Sequence, residues 1–302
     1  MTTIKPTTKG ILLIIIAALC FSTSGTTQAL APAGATPIVT SALRISIGGL
    51  ALLLWCLFRG IMPRRGGWPL KSVLGAAIAL LCCQLLFFAG TRTAGVAVGT
   101  VVTLGSNPIF AALLSWLWMG ERPIKAWYPA TVMAITGLVL LNLAGAEEVN
   151  PLRILPSLGA GLAYAIYLVL AKPMLKNHPP ETVMMVLSLI GGAIILPPAL
   201  MLFPCGWILS LHGALTALNL GVVTSGLAFT LLLTGVRYVP TSTATTLGLL
   251  EPLAASIWGF TLLGEPMDGY ALSGLASIFL SAAVLIWFSG REPKIEPEGQ
   301  VT

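Results

Sequence analysis

The chain has 302 residues, of which 56% are hydrophobic and only 9% are charged, and its mean hydropathy is +0.94. A soluble domain carries about 25% charged residues, so this composition excludes a soluble globular protein and indicates a membrane protein that crosses the bilayer many times. The net charge of +6 comes from basic residues between the apolar segments and does not indicate a nucleic-acid partner.

Ten apolar segments follow one another along the chain. A helix needs about 20 predominantly apolar residues to cross the hydrocarbon core of a bilayer. The candidate spans are residues 10–29, 38–58, 71–89, 95–118, 126–144, 152–171, 181–203, 213–235, 241–263 and 268–288. The connections between them are too short to fold as soluble domains. The sequence therefore predicts an all-α polytopic membrane protein with ten transmembrane helices.

Basic residues are distributed unevenly among the connections. With a cytoplasmic N-terminus, the outer loops hold only Arg92 and Arg153. The inner segments hold Lys5, Lys9, Arg59, Arg64, Arg65, Lys71, Arg122, Lys125, Lys172, Lys176, Arg237, Arg291 and Lys294. Cytoplasmic loops carry an excess of Lys and Arg. We therefore predict a multi-pass membrane protein with both termini in the cytoplasm.

The chain contains an internal repeat with an offset of about 144 residues. Pro108 is followed twelve residues later by Gly120-Glu121, and Pro252 is followed twelve residues later by Gly264-Glu265. Two further blocks recur in the same order: Thr103-Leu104-Gly105 with Thr246-Leu247-Gly248, and Gly90-x-Arg92 with Gly235-x-Arg237. Each half holds five spans, an odd number, so the second half enters the membrane from the opposite side. We predict two inverted repeats, 1–147 and 148–290, and a polar tail, 291–302; this architecture supports alternating access.

Two charged residues lie inside predicted spans, where each costs about 3 kcal/mol on insertion scales. Glu251 precedes Pro252 near the middle of span nine, and this pair matches Asn107-Pro108 of the first half. Because proline cannot donate to the helical ladder, Pro108 and Pro252 are predicted hinges that kink or break both spans. On one hypothesis Asn107 and Glu251 line a central cavity, where Glu251 contacts a cation, a substrate ammonium or a proton. On the other they only cap the kinks.

Arg44 lies about two turns into span two. It is a candidate to bind a substrate carboxylate or to pair with Glu251. The alternative is that its long side chain reaches the headgroups.

Polar and aromatic residues form stripes on two further spans. Phe21 and Ser24 share one face of span one, and Tyr164 and Tyr167 lie close together on span six. Phe21 and Tyr164 occupy corresponding positions of the two repeats. With Gln84, Asn219 and Trp258 they are candidates to line a substrate cavity for aromatic or medium-sized neutral groups. Interfacial aromatic residues and hydrogen bonds between helices would give the same pattern.

Residues suited to catalysis or metal binding are scarce. The two histidines, His178 and His212, lie in or beside loops, and the cysteines Cys20, Cys56, Cys82, Cys83 and Cys205 show no metal-ligand spacing. The chain also lacks a Gly-x4-Gly-Lys-Ser/Thr phosphate loop. We expect no enzymatic activity and no cofactor.

This ordered set of residues resembles the drug/metabolite transporter superfamily in its ten-helix EamA-type branch, over almost the whole chain. Arg44 follows the arginine of helix two in that branch, and the two proline sites and Gly-Glu pairs follow its helices four and nine. The second half has no arginine that matches Arg44. The resemblance implies a secondary exporter of small metabolites in the bacterial inner membrane, most like bacterial exporters of aromatic and other neutral amino acids.

Several alternatives remain open on this resemblance. The chain could export drugs or other metabolites, or act as a channel or facilitator for small solutes. The expected partners are a small-molecule substrate and lipid, with protons as a candidate coupling ion. The protein is expected to be a monomer or a homodimer.

Overall fold

A computed structural model describes residues 5–63, 66–142, 151–264 and 269–289. The first half forms α1 (Pro6–Ala29), α2 (Pro37–Arg59), α3 (Leu70–Ala94), α4 (Val96–Met119) and α5 (Trp127–Asn142). The second half forms α6 (Leu155–Ala171), α7 (Pro180–Leu202), α8 (Leu211–Leu218), α9 (Ala228–Val236), α10 (Thr241–Leu247), α11 (Leu250–Leu263) and α12 (Gly269–Ser289). A π-helical segment, Asn219–Leu227, joins α8 to α9.

These elements make ten passes across the bundle. Helices α8 and α9 with the π segment form the eighth pass, and α10 with α11 forms the ninth. Eight passes are long and apolar enough to cross a membrane, and α5 is a shorter apolar helix. The prediction of an all-α polytopic membrane protein is confirmed. Five residues of the repeat and charge analysis, Arg64, Arg65, Glu265, Arg291 and Lys294, lie outside the described residues, as does the predicted tail 291–302.

Local sequence explains where many helices begin and end. Pro6, Pro37 and Pro180 occupy first helical positions, where the missing N–H costs no hydrogen bond. The glycines of the repeated Gly-Glu pairs, Gly120 and Gly264, end α4 and α11 with φ of 69° at each. This left-handed conformation is easily adopted only by glycine.

The two ends of the bundle can be told apart by the residues that meet there. We call the end at which α1 begins the basal end and the end at which α1 finishes the distal end. At the distal end Thr93 Oγ1 donates a hydrogen bond to the Arg153 carbonyl at 2.8 Å. At the basal end Arg237 donates to the carbonyls of Leu175 and His178. Arg92 and Arg237, which correspond in the two repeats, thus lie at opposite ends, as an inverted repeat requires.

Helix packing follows the same pseudo-two-fold relation. Helix α3 packs against α6, and its counterpart, the π segment with α9, packs against α1. Helix α4 packs against α6, as α11 packs against α1. The corresponding helices α2 and α7 contact each other, and so do α5 and α12. The chain therefore folds as two inverted five-helix repeats whose elements interlock along their whole length.

The two hinge prolines occupy different local structures. Helix α4 continues through Pro108, so span four is not broken at this proline. Span nine does break, at Gly248–Leu249, and Glu251 and Pro252 lie in the first turn of α11. Two backbone hydrogen bonds that each span three residues bridge the break. Leu249 N donates to the Thr246 carbonyl at 3.1 Å, and Glu251 N donates to the Gly248 carbonyl at 2.9 Å. A helix can keep its course through a proline when neighbouring helices hold it.

Candidate functional site

A cavity of about 170 Å³ lies between the two repeats. Helices α1 to α4 form one part of its wall, and α6, α9, α10 and α11 with the residues of the break form the other. It extends from mid-bundle toward the distal end, where the partly exposed Gln28 belongs to the wall. The interface between inverted repeats is where transporters place their substrates.

Most of the sequence-predicted site residues surround this cavity. The wall contains Phe21, Ser24, Arg44, Gln84, Asn107, Tyr164 and Glu251. Tyr167 lies behind it, fully buried, with its hydroxyl 3.6 Å from Met184 Sδ. Trp258 is 36% exposed and donates from Nε1 to Ser22 Oγ at 3.0 Å, away from the wall. Asn219, also outside the wall, donates from Nδ2 to Thr27 Oγ1 at 2.6 Å.

The Arg44 guanidinium is held inside the cavity by aromatic rings. Its Cζ lies 6.0 Å from the ring centroid of Phe21 and 5.9 Å from that of Phe229. Nη2 donates to the Thr224 carbonyl, in the π segment, at 3.4 Å. Among the described residues Nε has no hydrogen-bond partner. The side chain therefore contributes a positive charge with unused donors to the cavity.

Glu251 brings the opposite charge to the same cavity from the break in span nine. It is the second residue of α11, and its carboxylate makes no hydrogen bond or ion pair with any part of the chain that the structure describes. Glu251 and Arg44 are therefore not joined by an ion pair. The amide Oδ1 of Asn107, a residue only 7% exposed, also lacks a partner among the described residues.

A polar cluster fastens the basal end, below the cavity. Glu121 Oε1 lies 2.5 Å from Lys172 Nζ, and Glu121 Oε2 accepts hydrogen bonds from the backbone N (3.3 Å) and Oγ1 (3.2 Å) of Thr241. Lys172 also donates to the Val239 carbonyl at 3.3 Å. Every residue of α10, which Thr241 begins, is buried. Beside this cluster, burial lowers the pKa of Arg237, opposed by its neighbours Tyr238 and Glu181.

The chain matches the model of the EamA-like transporter family twice, over residues 8–143 and 152–287. The chain belongs to the EamA-like transporter family. The resemblance to the drug/metabolite transporter superfamily that the repeated motifs indicated is thereby confirmed. The protein is a multi-pass membrane transporter and not an enzyme.

Relatives of this EamA-like transporter are themselves transporters. It is 39% identical to the uncharacterized transporter YwfM of Bacillus subtilis (strain 168), with 91% of this chain and 92% of the relative covered. It is 28% identical to the threonine/homoserine exporter RhtA of Salmonella typhimurium (strain LT2), with 94% of each covered. One solved structure superposes with a TM-score of 0.81 at 22% identity and covers 93% of this chain and 98% of its own, which supports the fold alone.

The cavity wall also contains residues that the sequence analysis did not predict to line a cavity. They include Cys83, Phe87, Phe88, Leu104, Phe229 and Thr245. In an apolar helix the side toward lipid and the side toward protein are both hydrophobic. The hydrophobic periodicity therefore does not indicate that Phe229 faces the cavity. The repeated Thr-Leu-Gly block was a usable signal, because it includes Gly248 at the break and lies beside Thr245. Within the described residues no cluster of His, Cys, Asp and Glu could hold a metal ion.

Proposed function

We propose that this EamA-like transporter exports small metabolites, free amino acids among them, by alternating access. The observation that carries the proposal is a cavity between two inverted repeats that extends to the distal end and is closed at the basal end. A carrier must have such one-sided states, whereas an open channel would connect both ends. The likeness to a threonine/homoserine exporter supports amino acids as substrates.

Movement of the two repeats relative to each other would change which end of the cavity is open. The packing of α1 against the π segment and α9 corresponds to the packing of α6 against α3. Each contact at one end of the bundle therefore has a counterpart of similar architecture at the other end. Rocking one repeat against the other would close the distal end and open the basal end around a fixed mid-bundle site. The polar cluster at Glu121 would then have to separate.

The wall favours uncharged side chains on the substrate. Beside its polar groups one part of it presents the apolar side chains of Leu80, Phe87, Phe88 and Leu104. An apolar wall leaves a charged substrate side chain without partners, which is costly. Aromatic and other neutral amino acids therefore fit this part of the cavity.

The charge asymmetry supports an orientation with the basal end in the cytoplasm of a bacterial inner membrane. Arg59, Lys71 and Lys125 lie at that end, whereas Arg92 and Arg153 lie at the distal end. In this orientation the cavity faces outward, the state from which an exporter releases its substrate.

Flux through the purified protein in proteoliposomes tests the proposal. We expect saturable movement of L-threonine or L-phenylalanine, measured with radiolabelled substrates. Ala17→Trp should abolish it, because Ala17 is 1% exposed and belongs to the wall. The matched control is Val132→Trp on the exposed surface of α5, where 65% of the valine is accessible. Failure of every amino acid of a full panel to move, or normal flux in Ala17→Trp, would contradict the proposal.

A further inference from the structure

Two unpaired groups of opposite charge share the cavity, and this arrangement points to the chemistry of the ligand. Arg44 enters from α2 in the first repeat and Glu251 from α11 in the second. Neither belongs to an ion pair within the chain segments that the structure describes, so their charged atoms are more than 4.0 Å apart. A charge inside the membrane is tolerated when it has a partner or serves a function.

From this geometry we infer that Arg44 and Glu251 form a clamp for the two charged groups of one zwitterion, the α-carboxylate and the α-ammonium of a free amino acid. The inference rests on the proposed function and goes further, because it assigns each pole of the substrate to a residue. It also implies that a ligand needs both charged groups to bind tightly.

Arg44 suits the carboxylate pole. The guanidinium is a planar fork of donors that matches a carboxylate in two parallel hydrogen bonds. Within the described residues its one acceptor is the Thr224 carbonyl at 3.4 Å, and Nε has none. The rings of Phe21 and Phe229, which pack against each other with centroids 4.8 Å apart, lie on the same side of the guanidinium and leave its other side free of them. The fork is thus presented to the cavity with donors available.

Glu251 suits the ammonium pole. Its carboxylate lies in the wall without a protein donor among the described residues, and an ammonium has three donors and no acceptor. Asn107 belongs to the same wall, with its unpartnered Oδ1 buried beside Gly161 of α6. Asn107 and Glu251 occupy corresponding positions of the two repeats, so the pseudo-symmetry brings both residues to one cavity.

A ligand with only one charge would leave the other residue uncompensated. An amine would neutralise Glu251 and leave Arg44 without its acceptor, whereas an acid would do the reverse. Burying an unpaired charged group costs more than a neutral hydrogen bond contributes. The clamp therefore selects free amino acids against both classes of single-charge analogue.

Equilibrium binding to the wild-type protein in lipid nanodiscs tests the clamp with two sets of probes. The first set is L-threonine, 1-amino-2-propanol and 3-hydroxybutyrate, and the second is L-phenylalanine, phenethylamine and 3-phenylpropionate. In each set the second probe lacks the carboxylate and the third lacks the ammonium. We expect each single-charge probe to bind about tenfold or more weakly than its amino acid, since a hydrogen bond to a charged group is lost.

Two variants give a crossed pattern that a purely structural role would not give. Arg44→Gln should remove the preference for the amino acid over the amine and keep its preference over the acid. Glu251→Gln should do the opposite. The matched controls are Arg92→Gln at the exposed distal end of α3 and Glu181→Gln at the basal end, which should keep both preferences. Size-exclusion profiles and thermal melts show whether each variant is folded, and Arg44→Met replaces Arg44→Gln if the latter is not.

The outcomes separate the clamp from the proposed export. Equal binding of all three probes in the wild-type protein overturns the clamp and leaves amino-acid export standing if flux is observed. Loss of both preferences in the same variant, without the crossed pattern, also overturns it. If neither amino acid binds and none is transported, the clamp and the proposed function fall together.

Discussion

Glu121 Oε1 lies 2.5 Å from Lys172 Nζ and joins the end of α4 in the first repeat to the end of α6 in the second. The same carboxylate accepts two hydrogen bonds from Thr241 at the start of α10. The side chains are only 27% and 16% exposed, so the pair is partly shielded from water. One carboxylate at the end of α4 therefore contacts the end of α6 and the start of α10. These contacts must break if the basal end is to open.

Breaking this ion pair should expose the basal side of the cavity. We expect Glu121→Gln to raise the rate at which a maleimide labels a cysteine introduced at Ala244, a fully buried residue of α10 in the wall. A pair at a partly exposed site contributes about 1 kcal/mol, which corresponds to a roughly fivefold change. The assay uses a background in which Cys20, Cys56, Cys82, Cys83 and Cys205 are replaced by alanine.

The control for the labelling assay is Glu181→Gln, which removes a carboxylate from the same end without touching the pair. A second check is the exchanged pair Glu121→Lys with Lys172→Glu, which should restore slow labelling. Labelling of Ala244→Cys that is equally slow in Glu121→Gln and in the unaltered background would show that the ion pair does not hold the basal end closed.

The two hinge prolines should differ in their effect on stability. Pro108 interrupts the hydrogen-bond ladder within the continuous helix α4, so Pro108→Ala gives the Leu104 carbonyl a donor and should stabilise the protein by about 1 kcal/mol. Pro252 lies in the first turn of α11, where a backbone N–H has no helical acceptor, so Pro252→Ala should leave the melting temperature nearly unchanged. Thermal unfolding in detergent measures both. Equal shifts for the two variants would mean that the prolines are structurally equivalent.

Close packing of α5 on α12 should be sensitive to any added side chain at Gly274. A Cβ there would lie 2.6 Å from the Gly137 carbonyl oxygen and 2.7 Å from Leu141 N, both backbone atoms that cannot move aside. We expect Gly274→Ala to lower the free energy of unfolding by about 1–3 kcal/mol. Gly269→Ala, at the start of the same helix, has no atom within 4 Å of its new Cβ and should be neutral. An unchanged free energy of unfolding in Gly274→Ala would show that α5 and α12 pack less tightly than these distances indicate.

Glu251→Gln should remove the dependence of flux on a proton gradient. Glutamine keeps the shape and hydrogen-bonding capacity of the side chain but removes its titratable charge. We expect the variant to lose the stimulation of flux by an imposed pH gradient while it still inserts and folds. The measurement is proteoliposome flux with and without the gradient, with Glu181→Gln as the control. Gradient-driven flux of near-normal size in Glu251→Gln would exclude coupling through this residue.

The orientation of the bundle is open to a direct test with reporter fusions. A reporter that is active only in the cytoplasm should be silent after Gly145, which follows the fifth span, and active after Thr302. The physical reason is the excess of basic residues on the connections assigned to the cytoplasm. A control fusion after Arg59, at the basal end of α2, should match Thr302. The same signal at Gly145 and Thr302 would contradict the predicted topology.

The sequence alone determined the number of passes, their approximate bounds and the inverted repeat. These properties depend on local features, such as the length of an apolar run and the spacing of Pro108 and Pro252 from their glycines. It also marked Arg44 and Glu251, because a charge inside an apolar span is conspicuous wherever the helix lies. No knowledge of the packing is needed for either inference.

The tertiary structure alone decided which residues meet. Phe229 packs against Arg44, and Glu121 reaches Lys172 across 51 positions of chain. No local pattern indicates either of these partners. The structure also separated Pro108, held within a continuous α4, from Pro252 beside a broken span, although the two motifs read alike. The reason is that contacts between helices fix side-chain neighbours and the course of the backbone, and in a membrane protein the hydrophobic pattern of one helix does not reveal which helix it faces.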